Sequence, residues 1–252
     1  MQNWNAPEAT IAAMAPKGVR TLYLETGNYR QKTDLVRPPA LARFIDAAHA
    51  AGIRVVAWYL PSFASPARDL RRSLAAIRFR TAAGGRFDSF ALDIEASVVT
   101  PASVRNTRLL RLSAQIRAAV GPRYSLGAII PSAVGIRLHP TYWPGFPYRE
   151  LARIYDVFVP MAYFTYHATE PAAVREYLSE SITVIRARTG NPAVPIHLIG
   201  GLSEDTGRAQ ARAFVQAVGD CAPVGYSLYE FPSTSRAAWS LLRSPPPPAG
   251  GC

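Results

Sequence analysis

The chain has 252 residues, of which 49% are hydrophobic, enough for one large α/β domain or two small ones and too many for intrinsic disorder. No run of about 18 apolar residues occurs, and the polar start after Met1 lacks the apolar core of a signal peptide. The net charge is +11, but its arginines are scattered and no nucleic-acid motif accompanies them. We therefore expect neither a membrane nor a nucleic-acid partner.

Short apolar runs rich in β-branched and aromatic residues alternate with amphipathic stretches that are typical of helices. The predicted strands are Val19–Glu25, Ile53–Leu60, Phe87–Glu95, Tyr124–Ile130, Asp156–Phe164, Pro195–Gly200 and Val224–Glu230. The predicted helices lie near residues 7–16, 38–51, 66–82, 101–120, 148–154, 170–189, 205–218 and 234–243. Prolines at the first turn, such as Pro101 and Pro171, favour these helix starts.

This alternation predicts a parallel sheet covered by helices. The first predicted helix has no strand before it, and residues 2–5 could supply a short one. We therefore predict an α/β fold, a (β/α)8 TIM barrel whose first strand is short or trimmed. A doubly wound open sheet is the alternative, although no glycine-rich phosphate loop follows any predicted strand. One barrel domain is expected over residues 1–243, followed by a proline- and glycine-rich tail at 244–252.

The segment FDSFALDIEAS, residues 87–97, places carboxylates in an otherwise apolar strand. Alternate side chains of a strand share a face, so Ala91, Asp93 and Glu95 point the same way. In a barrel, inward residues near the carboxyl end of a strand line the mouth where active sites are built. Two buried carboxylates raise the pKa of at least one of them, which leaves a neutral acid able to donate a proton. An exposed strand end before a helix is the alternative, and it accounts for Glu95 but not for Asp93.

The same segment resembles the fourth-strand signature of glycoside hydrolase family 18, the chitinase-like barrels, whose pattern is D-x-x-D-x-D-x-E. Asp88, Asp93 and Glu95 match its first, third and last acidic positions, and Ala91 replaces the second. The resemblance implies that Glu95 protonates the glycosidic oxygen. It also implies that Asp93 stabilises the charged intermediate beside it.

Two later segments resemble the same family. VPMAYF, residues 159–164, is similar to its sixth-strand M-x-Y-D, with Met161 and Tyr163 in place and Phe164 instead of aspartate. GYSLYE, residues 225–230, is similar to its eighth strand, with Tyr229 where the family usually has tryptophan. The resemblance implies that the acetamido group of the substrate is the nucleophile, held by Asp93 and Tyr163, and that the configuration is retained.

The replacements at Ala91 and Phe164 leave a second mechanism open, in which another carboxylate serves as nucleophile or base. Glu25 and Glu230 end two predicted strands and are the first choices, with an arginine partner at the rim as the alternative role.

Aromatic residues could supply further substrate contacts. Either Trp58 or Tyr59 points inward, and Tyr59 is taken as a contact. Trp143 lies in a loop, residues 131–147, that forms either a platform for a sugar ring or a hydrophobic lid. The full set of predicted substrate contacts is Asp88, Glu25, Tyr59, Trp143, Met161, Tyr229 and Glu230.

These features predict a glycoside hydrolase that cleaves an amino-sugar or cell-wall polysaccharide without a cofactor or metal. We expect a monomer that is secreted or associated with the cell wall. A non-catalytic glycan-binding barrel is one alternative, and a barrel enzyme acting on another substrate, such as a phosphosugar, is a second.

The two cysteines fall on the same side of the predicted barrel. Cys221 directly precedes the last strand, and the last helix, which runs antiparallel to the strands, brings the tail with Cys252 to that side. The positions of the two cysteines therefore allow a disulfide to form, and such a bond would suit an oxidising, secreted setting. A buried Cys221 with a free Cys252 is the alternative.

Overall fold

The computed structural model describes residues 4–247 and Cys252. Its seven strands are parallel and form one sheet, in which each strand is hydrogen-bonded to the next in chain order. The strands are β1 Thr21–Asn28, β2 Arg54–Leu60, β3 Ser89–Asp93, β4 Leu126–Pro131, β5 Val157–Met161, β6 His197–Leu202 and β7 Gly225–Tyr229.

Helices alternate with these strands, as the sequence predicts. They are α1 Pro7–Met14, α2 Pro38–Ala50, α3 Pro66–Arg78, α4 Ala102–Val120, α5 Ala133–Leu138, α6 Tyr148–Leu151, α7 Pro171–Thr189, α8 Arg208–Cys221 and α9 Arg236–Leu242. Short 3-10 helices follow α1, β5 and β7 at Ala15–Lys17, Phe164–Tyr166 and Phe231–Ser233. None of the helices in the described part of the chain is long and apolar enough to cross a bilayer.

The parallel sheet covered by helices is confirmed, whereas closure into eight strands stays a prediction. Of the proposed first strand, residues 2 and 3 lie outside the described residues, while Trp4 and Asn5 form a turn. Two predicted strands are shorter than expected, since β3 ends at Asp93 and β5 ends at Met161. The loop predicted at 131–147 contains α5, whose amide N–H of Gly135 is capped by Ser132 Oγ at 3.2 Å.

By its internal contacts the chain divides into two compact units. The N-terminal unit contains the chain through Ala128 together with Ile154–Asp156, and the C-terminal unit contains Ile129–Arg153 and Val157–Cys252. A single domain over residues 1–243 stays a prediction.

In the N-terminal unit, Arg117 of α4 ties together the chain segments around β4. Its guanidinium donates to the carbonyl oxygens of Ile154, Gly121 and Tyr124 at 2.7–3.0 Å. It also donates to the Asp156 carboxylate at 2.7 Å. Because arginine presents several donors in a fixed fork, this one side chain satisfies carbonyls that end a helix and precede two strands.

In the C-terminal unit, the chain end is fastened to α8. Cys221 and Cys252 form a disulfide with their Cα atoms 4.8 Å apart, so the bonded alternative of the sequence analysis is the one found. Arg186 of α7 donates to the carbonyl oxygens of both cysteines, at 3.1 Å for Cys221 and 2.6 Å for Cys252. Pro246 packs so closely on Gly219 that a Cβ there would lie 2.5 Å from the proline ring. Only glycine fits that position of α8.

Candidate active site

The carboxylate site is built on β1, β2 and β3 of the N-terminal unit. The register pairs Glu25 with Trp58 and Trp58 with Ala91. Paired residues of parallel strands project to the same face, so these three form a row across the sheet. Asp93, two residues beyond Ala91, follows on that face at the end of β3. The alternation of side chains along the predicted strand correctly placed Ala91 and Asp93 on one face.

Asp93 is buried, with 6% of its surface exposed. Its Oδ1 atom has no hydrogen-bond partner within the described structure. Burial raises the pKa of the Asp93 carboxyl well above its usual range, and the charges of Glu95 and then Glu25 raise it further. An unpaired buried carboxylate is costly, so Asp93 favours its neutral form until a positive partner arrives.

Glu95 lies two residues beyond β3 and is half-buried. Burial raises the pKa of its carboxyl, and the charge of Arg30 opposes that rise. A raised pKa keeps a carboxyl group protonated to higher pH, which favours a role as general acid.

Glu25 is the third carboxylate of the site and is held by a neighbour on its own strand. The Asn28 side-chain amide donates to Glu25 Oε1 at 2.9 Å. Between them the strand bulges at Thr26, whose hydroxyl donates to the carbonyl oxygen of Trp58 at 2.8 Å. Glu25 was predicted to end its strand, but β1 continues to Asn28, and the charge of Glu25 acts on Asp93.

Asp88 is not brought to these carboxylates, because it precedes β3 at the opposite end of the strand. Its Oδ2 atom accepts from the Val55 amide at 2.7 Å and lies 3.0 Å from His49 Nε2. The same arrangement recurs before β5, where Asp156 accepts from the Leu126 amide at 2.7 Å. An aspartate in this position fastens the start of the preceding strand, so the placement of Asp88 indicates a structural role rather than the predicted substrate contact.

Tyr59 also departs from its predicted role. It is 1% exposed, and its hydroxyl donates to Asp69 of α3 at 2.8 Å. Its neighbour Trp58 occupies the face that carries Glu25 and Ala91. The structure therefore does not bring Tyr59 to the carboxylate face, and Trp58 is the aromatic residue of β2 that lies there.

The aromatic residues predicted from the later motifs lie in the C-terminal unit. The Tyr163 ring is 5.9 Å from the Tyr229 ring and 6.1 Å from the Tyr166 ring. Tyr229 is 47% exposed and Tyr166 is more so. These three residues form an exposed aromatic cluster after β5 and at the end of β7. Such rings can stack on the apolar faces of sugars.

Two neighbouring predictions concern residues at the ends of these strands. Met161 is half-buried at the end of β5 and pairs with Ile199 of β6. Glu230 follows β7 directly and is half-buried, and its carbonyl oxygen accepts from the Thr234 hydroxyl at 2.8 Å. Glu230 thus lies at the predicted end of its strand, whereas Met161 ends a strand that was predicted to continue to Phe164.

Trp143 and Phe164 are buried. The Trp143 ring packs edge-on against Phe146 at 5.3 Å and is 1% exposed, so the loop after α5 forms the hydrophobic packing that was the alternative to a sugar platform. Phe164, where the family motif has an acid, is fully buried against Gly201, and a Cβ at Gly201 would lie 2.7 Å from its ring.

Asn28 and Arg30 were not predicted from the sequence, whereas Trp58 was the alternative to Tyr59. The first two follow the point where the strand was predicted to end, because the predicted strand stops at Glu25 while β1 continues to Asn28. Their signal was available in principle, since polar residues just beyond a strand of such a sheet line its carboxyl edge. Within residues 4–247 and Cys252, no group of three His, Cys, Asp or Glu residues is arranged to hold a metal ion.

No protein family and no curated protein matches this sequence. Solved structures do match its fold. An endo-beta-1,4-mannanase from Thermotoga petrophila has a TM-score of 0.72 at 10% identity, over 96% of this chain and 73% of the mannanase. A chitinase from Chromobacterium violaceum has a TM-score of 0.66 at 13% identity, over 96% of each chain. The spore cortex-lytic enzyme SleL from Bacillus cereus has a TM-score of 0.70 at 10% identity, over 94% of this chain and 70% of SleL.

At these identities the likeness establishes the fold alone, which is the parallel sheet with alternating helices that this chain shares with the three enzymes. Membership of one glycosidase family does not follow from it.

Proposed function

We propose that this chain is a glycoside hydrolase that cleaves an amino-sugar or cell-wall polysaccharide, with Glu95 as general acid and Asp93 assisting. The observation that carries the proposal is the buried Asp93 beside Glu95 at the carboxyl end of β3, with Oδ1 of Asp93 unpaired in the described structure. A barrel that serves only as a scaffold gains nothing from this costly arrangement. The fold of this chain is shared with enzymes named as a chitinase, a mannanase and a cortex-lytic enzyme.

The proposed reaction begins with proton transfer from Glu95 to the glycosidic oxygen. The bond between that oxygen and the anomeric carbon breaks, its electrons pass to the oxygen, and positive charge develops on the sugar ring. Asp93 is the buried group that we propose meets that charge, because a carboxyl group that has no positive partner gains most from a cation that appears only in the transition state. Water then forms a bond to the anomeric carbon while Glu95, now ionised, accepts the proton that the water releases.

The finer proposal is a relative of family 18 that retains the anomeric configuration. Tyr163 and Tyr229, which occupy the motif positions, support it as members of the aromatic cluster, which we propose stacks on a sugar ring. The acetamido nucleophile has weaker support, because Ala91 carries no carboxylate and Phe164 is in the core. Glu25 is then the candidate for the second carboxylate. Proton NMR of the first-formed anomer distinguishes retention from inversion.

A glycan-binding barrel without catalysis is the second candidate function. The observation that favours it is the pair of replacements at Ala91 and Phe164, which remove two acids of the motif. Under this reading the aromatic cluster alone would bind the glycan.

Hydrolysis of a panel of chitin oligosaccharides, peptidoglycan and mannan tests the proposal, with wild type compared to Glu95→Gln. We expect cleavage to fall by about 10²–10⁴-fold without loss of folding. Glu176→Gln, at an exposed position of α7, is the matched control and should cleave like wild type. Wild-type turnover by Glu95→Gln would show that Glu95 is not the acid. Binding without cleavage by wild type would favour the glycan-binding barrel.

Secretion or cell-wall association is proposed with the function. The Cys221–Cys252 disulfide supports it, since such bonds persist in oxidising compartments.

A further inference from the structure

A buried arginine of α3 holds the chain segment that leaves the carboxylate site. Arg72 is 2% exposed, and its guanidinium donates to the carbonyl oxygens of Asn28 at 2.8 Å and Gln31 at 2.6 Å. Its Nε atom lies 3.5 Å from the carboxylate of Asp34. Residues 28–34 are called here the β1 segment. Burying a guanidinium is costly unless its donors are used, so these bonds define the position of the β1 segment.

Asn28 connects this arginine to the acids. Its carbonyl oxygen accepts from Arg72, and its side-chain amide donates to Glu25 at 2.9 Å. Its side-chain oxygen accepts from the amide of Arg30 at 3.0 Å. One residue thus fixes both the Glu25 carboxylate and the backbone of Arg30, whose charge acts on Glu95.

We propose that Arg72 is a positioning residue of the active site, which acts through Asn28 to hold Glu25 beside Asp93 and Arg30 beside Glu95. The inference rests on the proposed function and deepens it. Arg72 itself has no part in the reaction, because its two terminal nitrogens donate to the backbone of the β1 segment.

The charged groups around Glu95 in the N-terminal unit determine the expected effect. Arg30 faces Glu95 from the β1 segment and lowers the pKa of its carboxyl, whereas Asp93 lies on its own strand with Glu25 beyond it. Arg105 of α4 donates to the carbonyl oxygen of Val99 at 3.1 Å, in the loop after Glu95. If the β1 segment loosens, Glu95 loses the cation that opposes its protonation, so its pKa rises.

The neighbouring Arg71 provides a matched control. It belongs to the same helix and pairs with the same Asp34, at 2.8 Å. It is 60% exposed, however, and its bonds in the described structure reach only that carboxylate. Arg71→Met therefore removes a charge and an ion pair from the β1 segment without releasing its backbone.

The experiment compares Arg72→Met, Asn28→Ala and Arg71→Met with wild type on the glycan that wild type cleaves. For the first two variants we expect kcat to fall about 10–100-fold with a smaller change in KM, because misplaced acids impair the reacting state more than binding. The alkaline limb of the pH–rate profile should move to higher pH. Arg71→Met should keep the wild-type kcat and profile.

A second readout separates this inference from the function on which it rests. Carboxyl ¹³C NMR of glutamate-labelled protein follows the titration of Glu95 without any turnover, and its pKa should rise in Arg72→Met and Asn28→Ala but not in Arg71→Met. An unshifted Glu95 pKa in a folded Asn28→Ala variant overturns the inference, including when Arg72→Met does not fold. A shifted pKa in a protein that cleaves no glycan supports the positioning role and refutes the proposed function.

Discussion

Burial of the Asp93 carboxyl lowers stability when the group ionises, although we propose that the same carboxyl assists cleavage. Its folded-state pKa is raised by burial, by Glu95 and by Glu25, above the value near 4 of an unfolded aspartate. The folded state therefore binds this proton more tightly than the unfolded state does. The contribution of Asp93 to stability is fully present below the unfolded pKa and is lost as pH rises through the folded pKa.

Asp93→Asn should therefore raise stability at alkaline pH while it lowers glycan cleavage. The amide has the shape of the neutral acid but cannot ionise, so we expect a gain of about 1 kcal/mol at pH 8 that shrinks toward acidic pH. Thermal unfolding between pH 4 and pH 8 measures the difference. Asp205→Asn, at an exposed position, should show no such trend. An Asp93→Asn variant that is less stable than wild type at pH 8 would contradict this electrostatic account.

Single residues of the site were predictable to the extent that strand alternation controls them. Alternation put Ala91 and Asp93 on one face, and the register confirms it. It could not decide between Trp58 and Tyr59, because the choice depends on pairing with β1 and β3 rather than on β2 itself. Asp88 matched a motif, yet a match in letters does not reveal that its carboxylate fastens the start of β2.

At the scale of elements, Arg117 joins the end of α4 to the segments that precede β4 and β5. Removing its guanidinium leaves several carbonyl oxygens without their donor, among them those of Ile154 and Tyr124. We expect Arg117→Met to lower the free energy of unfolding by about 2–4 kcal/mol, from lost charge-assisted bonds and unsatisfied carbonyls.

Urea unfolding measures this effect. Arg111→Met is the matched control on the exposed face of the same helix and should change stability by less than about 0.5 kcal/mol. Equal effects of the two substitutions would show that the Arg117 bonds contribute no more than surface charge does.

The order and type of the elements followed from hydrophobic periodicity, and their ends did not. α5 was missed because it lies in a proline- and glycine-rich segment and depends on a cap from Ser132. β3 is shorter than the predicted strand at both ends, since it begins at Ser89 and ends at Asp93, and Glu95 lies beyond it. The predicted strand at residues 156–164 included Phe164, which is buried in a 3-10 helix instead.

For the whole molecule, the disulfide is the covalent link between distant parts of the chain. It joins cysteines 31 residues apart, and in the chain-entropy model a loop of that length stabilises the folded state by about 3–4 kcal/mol. We expect the double variant Cys221→Ser/Cys252→Ser to have a lower Tm by several degrees, and wild type in reductant to match it.

Thiol titration of denatured, unreduced wild type completes this test and should find no free thiol. Two free thiols per chain would contradict the bond, and an unchanged Tm in the double variant would show that it does not stabilise the fold.

The same bond changes how the protein would respond to a mechanical load. A stretching force applied on either side of the loop would pass through the sulfur atoms and bypass β7 and α9. The roughly 30 residues that the bond encloses amount to about 100 Å of extended chain. The enclosed residues could not extend under the force until the bond is reduced. β7 and Tyr229 at its end would therefore bear no tension while the disulfide is intact.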